Sequence, residues 1–115
     1  MRYLCLVYID PTLAEAAGEA EWAAIDRDSL AFNESLRQSG QYLASNALAD
    51  PKTAKTVRIR NGERSWTDGP FAETKEYLGG FFLIEARDLA EAMEIAGRSE
   101  IARMGSIEVR ETAGF

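Results

Sequence analysis

The sequence predicts a single α+β domain, and three observations carry the prediction. Segments 2–9 and 81–86 read as strands yet are apolar on both faces. Two other stretches carry apolar residues at helical spacing, each downstream of one of those strands. Between them, Asn61-Gly62 sits inside two short alternating runs, the signature of a two-residue β-hairpin. At 115 residues the chain has room for one modest core and no separate substrate domain.

Each element has its own local reason. In 2–9, Tyr3, Cys5, Val7 and Ile9 point one way and Leu4, Leu6 and Tyr8 the other, so both sides need cover. Asp10-Pro11 ends this strand, because proline has no ladder N–H. From about Glu19 to Gln38, Trp22, Ile25, Ser29, Phe32 and Leu36 recur every three or four residues and predict a helix. Ala23 and Leu30 widen its stripe, and Gly40 stops it. A short strand is expected over Tyr42–Ala47, then a turn at Asp50-Pro51. In the hairpin, Thr56–Arg60 and Glu63–Thr67 pair so that Val57 faces Trp66 and Ile59 faces Arg64. Arg58–Ser65 and Arg60–Glu63 occupy its other side. After Asp68-Gly69-Pro70-Phe71 and a polar run, Gly79-Gly80 tightens the chain ahead of a strand over Phe81–Ala86.

Asp88 caps the next helix, with Glu91 as the carboxylate half of a capping box. Leu89, Ala92, Met93 and Ala96 are its expected buried stripe, Gly97 its end, and Ser106–Arg110 the last strand. Two helices on one face of a largely antiparallel sheet make a ferredoxin-like fold, here with an inserted hairpin. The opposite sheet face keeps aromatic and aliphatic side chains from 2–9 and 81–86. A second copy is the expected shield, giving a dimeric α+β barrel with clefts inside it.

Composition narrows the function. The net charge of −6, from 13 basic and 19 acidic residues, repels nucleic-acid phosphates and anionic lipid, so neither nucleic acid nor membrane is an expected partner. The apolar run at the N-terminus is too short to span a bilayer and lacks a signal-type cleavage site, and the one cysteine forms no intrachain disulfide; a cytoplasmic setting is expected. With no histidine, this chain alone offers no imidazole base and no His-ligated metal, and no cofactor or metal is expected. Cys5 is read as an inert core thiol, and Trp22 and Trp66 as packing anchors.

The run Thr67-Asp68-Gly69-Pro70-Phe71-Ala72-Glu73-Thr74-Lys75-Glu76, followed by Leu78-Gly79-Gly80-Phe81, resembles the YCII-related family of the DGPF type. MRYLCLVY at one end and GSIEVR at the other extend the resemblance over essentially the whole chain. It implies a dimeric α+β barrel, agreeing with the reading above, and genes that often neighbour sigma factors. Some relatives are proposed to use a His–Asp pair. This chain lacks the histidine, although Asp68 matches the aspartate.

Asp68 is therefore the catalytic candidate, either as a proton-transfer carboxylate at a cleft or as a cap for the Gly69–Phe71 turn. Phe71 walls a pocket or plugs an interface. Glu73 and Lys75 are surface charges, or a flap in which Lys75 meets an anion and Glu73 moves a proton. Tyr8 offers a phenol late on the first strand, and Arg58 a bidentate clamp for a carboxylate. Three functions follow: a dimer that binds a ligand or regulates without established catalysis; a cofactor-independent lyase or isomerase using Asp68 on a small anionic organic molecule; and a protein-interaction partner in sigma-factor regulation.

Overall fold

The computed structural model describes residues 1–114. In chain order the elements are β1 (Arg2–Ile9), α1 (Pro11–Ala16), α2 (Glu19–Gln38), β2 (Tyr42–Ala47), β3 (Lys55–Arg60), β4 (Glu63–Asp68), β5 (Tyr77–Glu85), α3 (Leu89–Gly97) and β6 (Gly105–Glu111). Short 3₁₀ turns precede β3 and β6, at Pro51–Thr53 and Glu100–Met104. Four strands form one antiparallel sheet in the order β2-β5-β1-β6, the ferredoxin-like arrangement, while β3 and β4 pair only with each other.

The centre of the sheet sets the core. Across β1 and β5, Tyr3 lies opposite Ile84 and Cys5 opposite Phe82. These four, with Val7 and Ile9, are buried in one cluster with Ile25, Phe32 and Leu36 of α2 and Ala92, Ile95 and Ala96 of α3. Phe32 meets Phe82 edge to face, ring centroids 5.4 Å apart, the arrangement that sets a positive ring edge on a negative ring face. On the reverse side Leu4, Leu6, Tyr8, Phe81 and Leu83 are half-buried and lie outside the cluster that holds the buried residues of the helices.

Several expectations change. Asp10-Pro11 does more than stop β1: Asp10 Oδ1 accepts the Thr12 N–H at 2.9 Å and proline takes the first helical position, so the same pair starts α1. β5 begins at Tyr77, four residues before the expected Phe81. Gly79 and Gly80 are strand residues, Gly80 lying opposite both Val7 and Ala47. In α3 the buried stripe is Ala92, Ile95 and Ala96, with Leu89 and Met93 in solvent. The short helix rests on the sheet through one narrow edge, so its first turn stays wet. Ala23 and Leu30 of α2 are likewise exposed. Trp66 is 70% exposed and lies outside the core cluster among the described residues. Half of the capping box forms: Asp88 Oδ1 accepts the Glu91 N–H at 2.9 Å, but Glu91 Oε1 accepts the N–H of Arg87, also at 2.9 Å, in place of that of Asp88. Among the described residues no helix is long and apolar enough to cross a membrane.

Candidate functional site

A cavity of about 1130 Å³ opens between α2 and the sheet, within one chain. Its position follows from side-chain size. On the sheet side its lining includes Ser45, Ala47, Gly79 and Gly80, so the β2–β5 edge presents little bulk beneath the N-terminal half of α2. The helix stays propped above by Trp22 and Phe32, which also line the space. Trp22 is held by its own indole N–H, donated to the Ala14 carbonyl of α1 at 3.1 Å. Tyr77, Leu48 and the root of the hairpin, Gly69-Pro70, complete the wall.

The glycines serve the backbone as well as the cavity. A Cβ on Gly80 would sit 2.9 Å from the Asn46 carbonyl oxygen, and one on Gly79 would sit 2.6 Å from Ile9 Cγ1. The backbone at Asn46 thus approaches Gly80 too closely for a side chain there. Gly69 has a φ of +85°, which turns the chain out of β4 and aims Pro70 back toward the cavity.

Polar groups in the cavity are few. Asn33 Nδ2 donates to Ser45 Oγ at 3.3 Å, and Ser45 Oγ shares a 2.8 Å hydrogen bond with the Tyr42 hydroxyl. The Tyr42 ring is capped in turn by the Arg37 guanidinium, 4.3 Å from its centroid. The charged lining residues are Glu15, Asp26, Asp50 and Lys52, three carboxylates to one ammonium. Asp50 already accepts the Lys52 N–H at 2.9 Å. The lining thus combines apolar walls and neutral hydrogen-bonding side chains with a net negative set of charged residues. Among the described residues no three acidic or thiol side chains gather as a metal site would require.

The residues singled out from sequence stand elsewhere. Asp68 is at the end of β4, its side chain 87% exposed, with Lys55 Nζ 2.5 Å from its Oδ1. It does not cap the following turn. That bend is closed by the Gly69 N–H donating to the Ala54 carbonyl at 2.7 Å and by the Thr56 hydroxyl donating to the Gly69 carbonyl at 2.8 Å. Arg58 donates to Thr67 Oγ1 at 3.1 Å and reaches toward the Phe71 carbonyl. Phe71 is 80% exposed, and Glu73 and Lys75 lie in solvent on the segment that follows. Tyr8 is on the reverse face of the sheet, opposite Ser106. None of these six side chains lines the cavity, although Gly69 and Pro70, next to Asp68, do. The lining residues Asn33 and Ser29 passed unnoticed as site residues. Their signal was available, since two polar residues four apart interrupt the stripe of α2.

Cys5 is fully buried, and burial pushes its thiol up to about 12, so it carries no nucleophilic thiolate near neutrality. Tyr3 is raised as well, first by burial and then by the Glu111 and Asp88 carboxylates.

A family model described as the YCII-related domain matches residues 1–115. An uncharacterised protein of Rhizobium meliloti (strain 1021) is 36% identical over 115 residues, covering 98% of this chain and 93% of that protein. Among solved structures, the chain is similar to 5-chloro-2-hydroxyhydroquinone dehydrochlorinase from Burkholderia phenoliruptrix AC1100, in complex with 2,5-dihydroxybenzoquinone. The TM-score is 0.52 at 16% identity, covering 97% of this chain and 93% of that one. At that identity the likeness is one of fold.

Proposed function

The chain belongs to the YCII-related family, and from that premise we propose that it is one subunit of a homodimer that binds a small, ring-sized organic molecule between α2 and the sheet. The cavity itself carries the reading. Its volume, about 1130 Å³, stands just above the ~300–1,000 Å³ of ordinary small-molecule sites. Its walls are mainly apolar, with neutral hydrogen-bonding side chains that include Ser29, Asn33, Ser45 and Asn46. Three rim carboxylates favour a neutral or cationic ligand over an anion inside the cavity.

The test is a panel of neutral, cationic and anionic ring compounds, hydroxylated aromatics and quinones included, followed by ligand-observed NMR and thermal shift. Saturable binding that is strongest for uncharged rings and is lost in a folded Ala47→Phe variant is expected, since Ala47 lines the floor on the exposed edge strand. No saturable binding by any class, or binding untouched by Ala47→Phe, rejects the reading.

A second reading is favoured by the dehydrochlorinase of similar fold: a cofactor-independent elimination or isomerisation in the same cavity, with a carboxylate taking up the substrate proton. Asp26, in the lining, is the carboxylate this reading uses first; Asp68 points outward beside Lys55 and would serve only if that pair opened. Release of halide from a halogenated hydroquinone, lost in Asp26→Asn or Asp68→Asn with the fold intact, supports this version; binding without turnover leaves the chain a binder.

A further inference from the structure

The hairpin β3–β4 is turned inside out. Its apolar side, Val57, Ile59 and Trp66, is exposed to 50%, 57% and 70%. On its polar side Thr56 and Arg58 are half-buried against the segment that follows β4. No body element packs extensively on either strand. The radius of gyration is accordingly 16.0 Å, against about 13 Å for a compact domain of this length. A two-stranded hairpin standing alone in water is marginal at best, and one with its apolar side outward has given up the burial that ordinarily stabilises it.

Charge separates the hairpin from the body in the same way. Residues 55–68 carry Lys55, Arg58, Arg60 and Arg64 against Glu63 and Asp68, a net +2. The rest of the chain therefore carries −8 of the total −6. A cationic arm with an apolar side suits an anionic body with an uncovered apolar face, and this chain supplies both. The reverse face of the sheet presents Leu4, Leu6, Tyr8 and Leu83, half-buried and outside the cluster that holds the buried residues of the helices.

We propose that the hairpin is a docking arm that lays Val57, Ile59 and Trp66 on the open sheet face of a second copy of the chain. Two-fold symmetry makes the exchange reciprocal, so each arm shields the face its partner leaves open. Opposite net charges on arm and body steer the encounter. The proposal rests on the homodimer above and adds the surfaces that make it. It also ties assembly to the cavity, because Gly69-Pro70 at the base of the arm forms part of the cavity wall.

Sedimentation velocity from 1 to 100 μM on the full chain tests it, with Ile59→Ser/Trp66→Ser in the arm, Leu6→Ala in the sheet face, and all three changes combined. The arm variant is expected to stay folded by circular dichroism and to raise the dimer dissociation constant at least tenfold. Leu6→Ala should raise it severalfold, and the combination should cost less than the product of the two, because the changed residues touch each other in the dimer. Trp66, read as the difference between wild type and Trp66→Phe, should be shielded from acrylamide at high concentration and open at low. A wild-type dimer that the arm variant does not weaken overturns the arm while leaving the dimer standing. Fully independent effects of Leu6 and the arm overturn this choice of docking face. A wild type that is monomeric at 100 μM overturns both dimer and arm.

Discussion

Strands β1 and β5 and the hairpin strands β3 and β4 draw on similar residues and meet opposite surroundings. In the central pair, alternate side chains drop under two helices, and Cys5 and Ile84 lose all contact with water. In the hairpin the same alternation is present, Val57 opposite Trp66 and Ile59 opposite Arg64, yet Val57, Ile59 and Trp66 stay at least half exposed among the described residues. Alternation marks a face as able to be buried; only a neighbouring layer buries it. The body's stability should thus be intrinsic to one chain, and the arm's should depend on concentration.

That contrast has measurable consequences, largest first. With Cys5 held near 12 in the fold against an unfolded value near 9, the folded state retains the thiol proton over that interval. Its contribution is whole below about pH 9 and is lost as pH rises toward 12, on the order of 4 kcal/mol in all. Urea titrations of wild type and Cys5→Ala should converge or cross on that alkaline limb; parallel curves would show that Cys5 is not sealed in the core. Ile84→Ala, at the fully buried centre of β5, should cost about 3 kcal/mol in urea midpoint analysis. A cost under about 1 kcal/mol would mean the central strands are packed no better than the arm. Asp88→Ala removes the acceptor of the Glu91 N–H and should cost about 1 kcal/mol. At micromolar or lower concentration, Ile59→Ser in the arm should change stability by less than about 0.5 kcal/mol, and Asp68→Asn, which breaks the exposed pair with Lys55, by no more. Should Ile59→Ser cost as much as Ile84→Ala in the dilute monomer, the two regions are one cooperative core and the contrast fails.

The candidate site was only partly legible. In the Asp68-Gly69-Pro70 run, Asp68 is held outward beside Lys55 while the less reactive Gly69 and Pro70 line the cavity. A positive φ at Gly69 reverses the chain there, so adjacent residues serve opposite sides. The cleft was expected inside a barrel of two sheets; the cavity described here lies on the helix side of one chain. Small residues that read as weak strand formers, Ser45, Ala47 and Gly80, vacate that space.

What the sequence determined by itself was local and periodic. Asn61-Gly62 takes positive φ at both positions and sets the hairpin register, Asp88 starts α3, and the spacing from Ile25 to Leu36 orients α2. These depend on chemistry within a few residues, which the chain spells out directly. Tertiary structure decided which apolar faces are covered, how far β5 extends through its glycines, and where a helix stands off the sheet to leave a cavity. Those outcomes depend on the bulk and position of residues distant along the chain, and no local pattern encodes what will come to lie opposite.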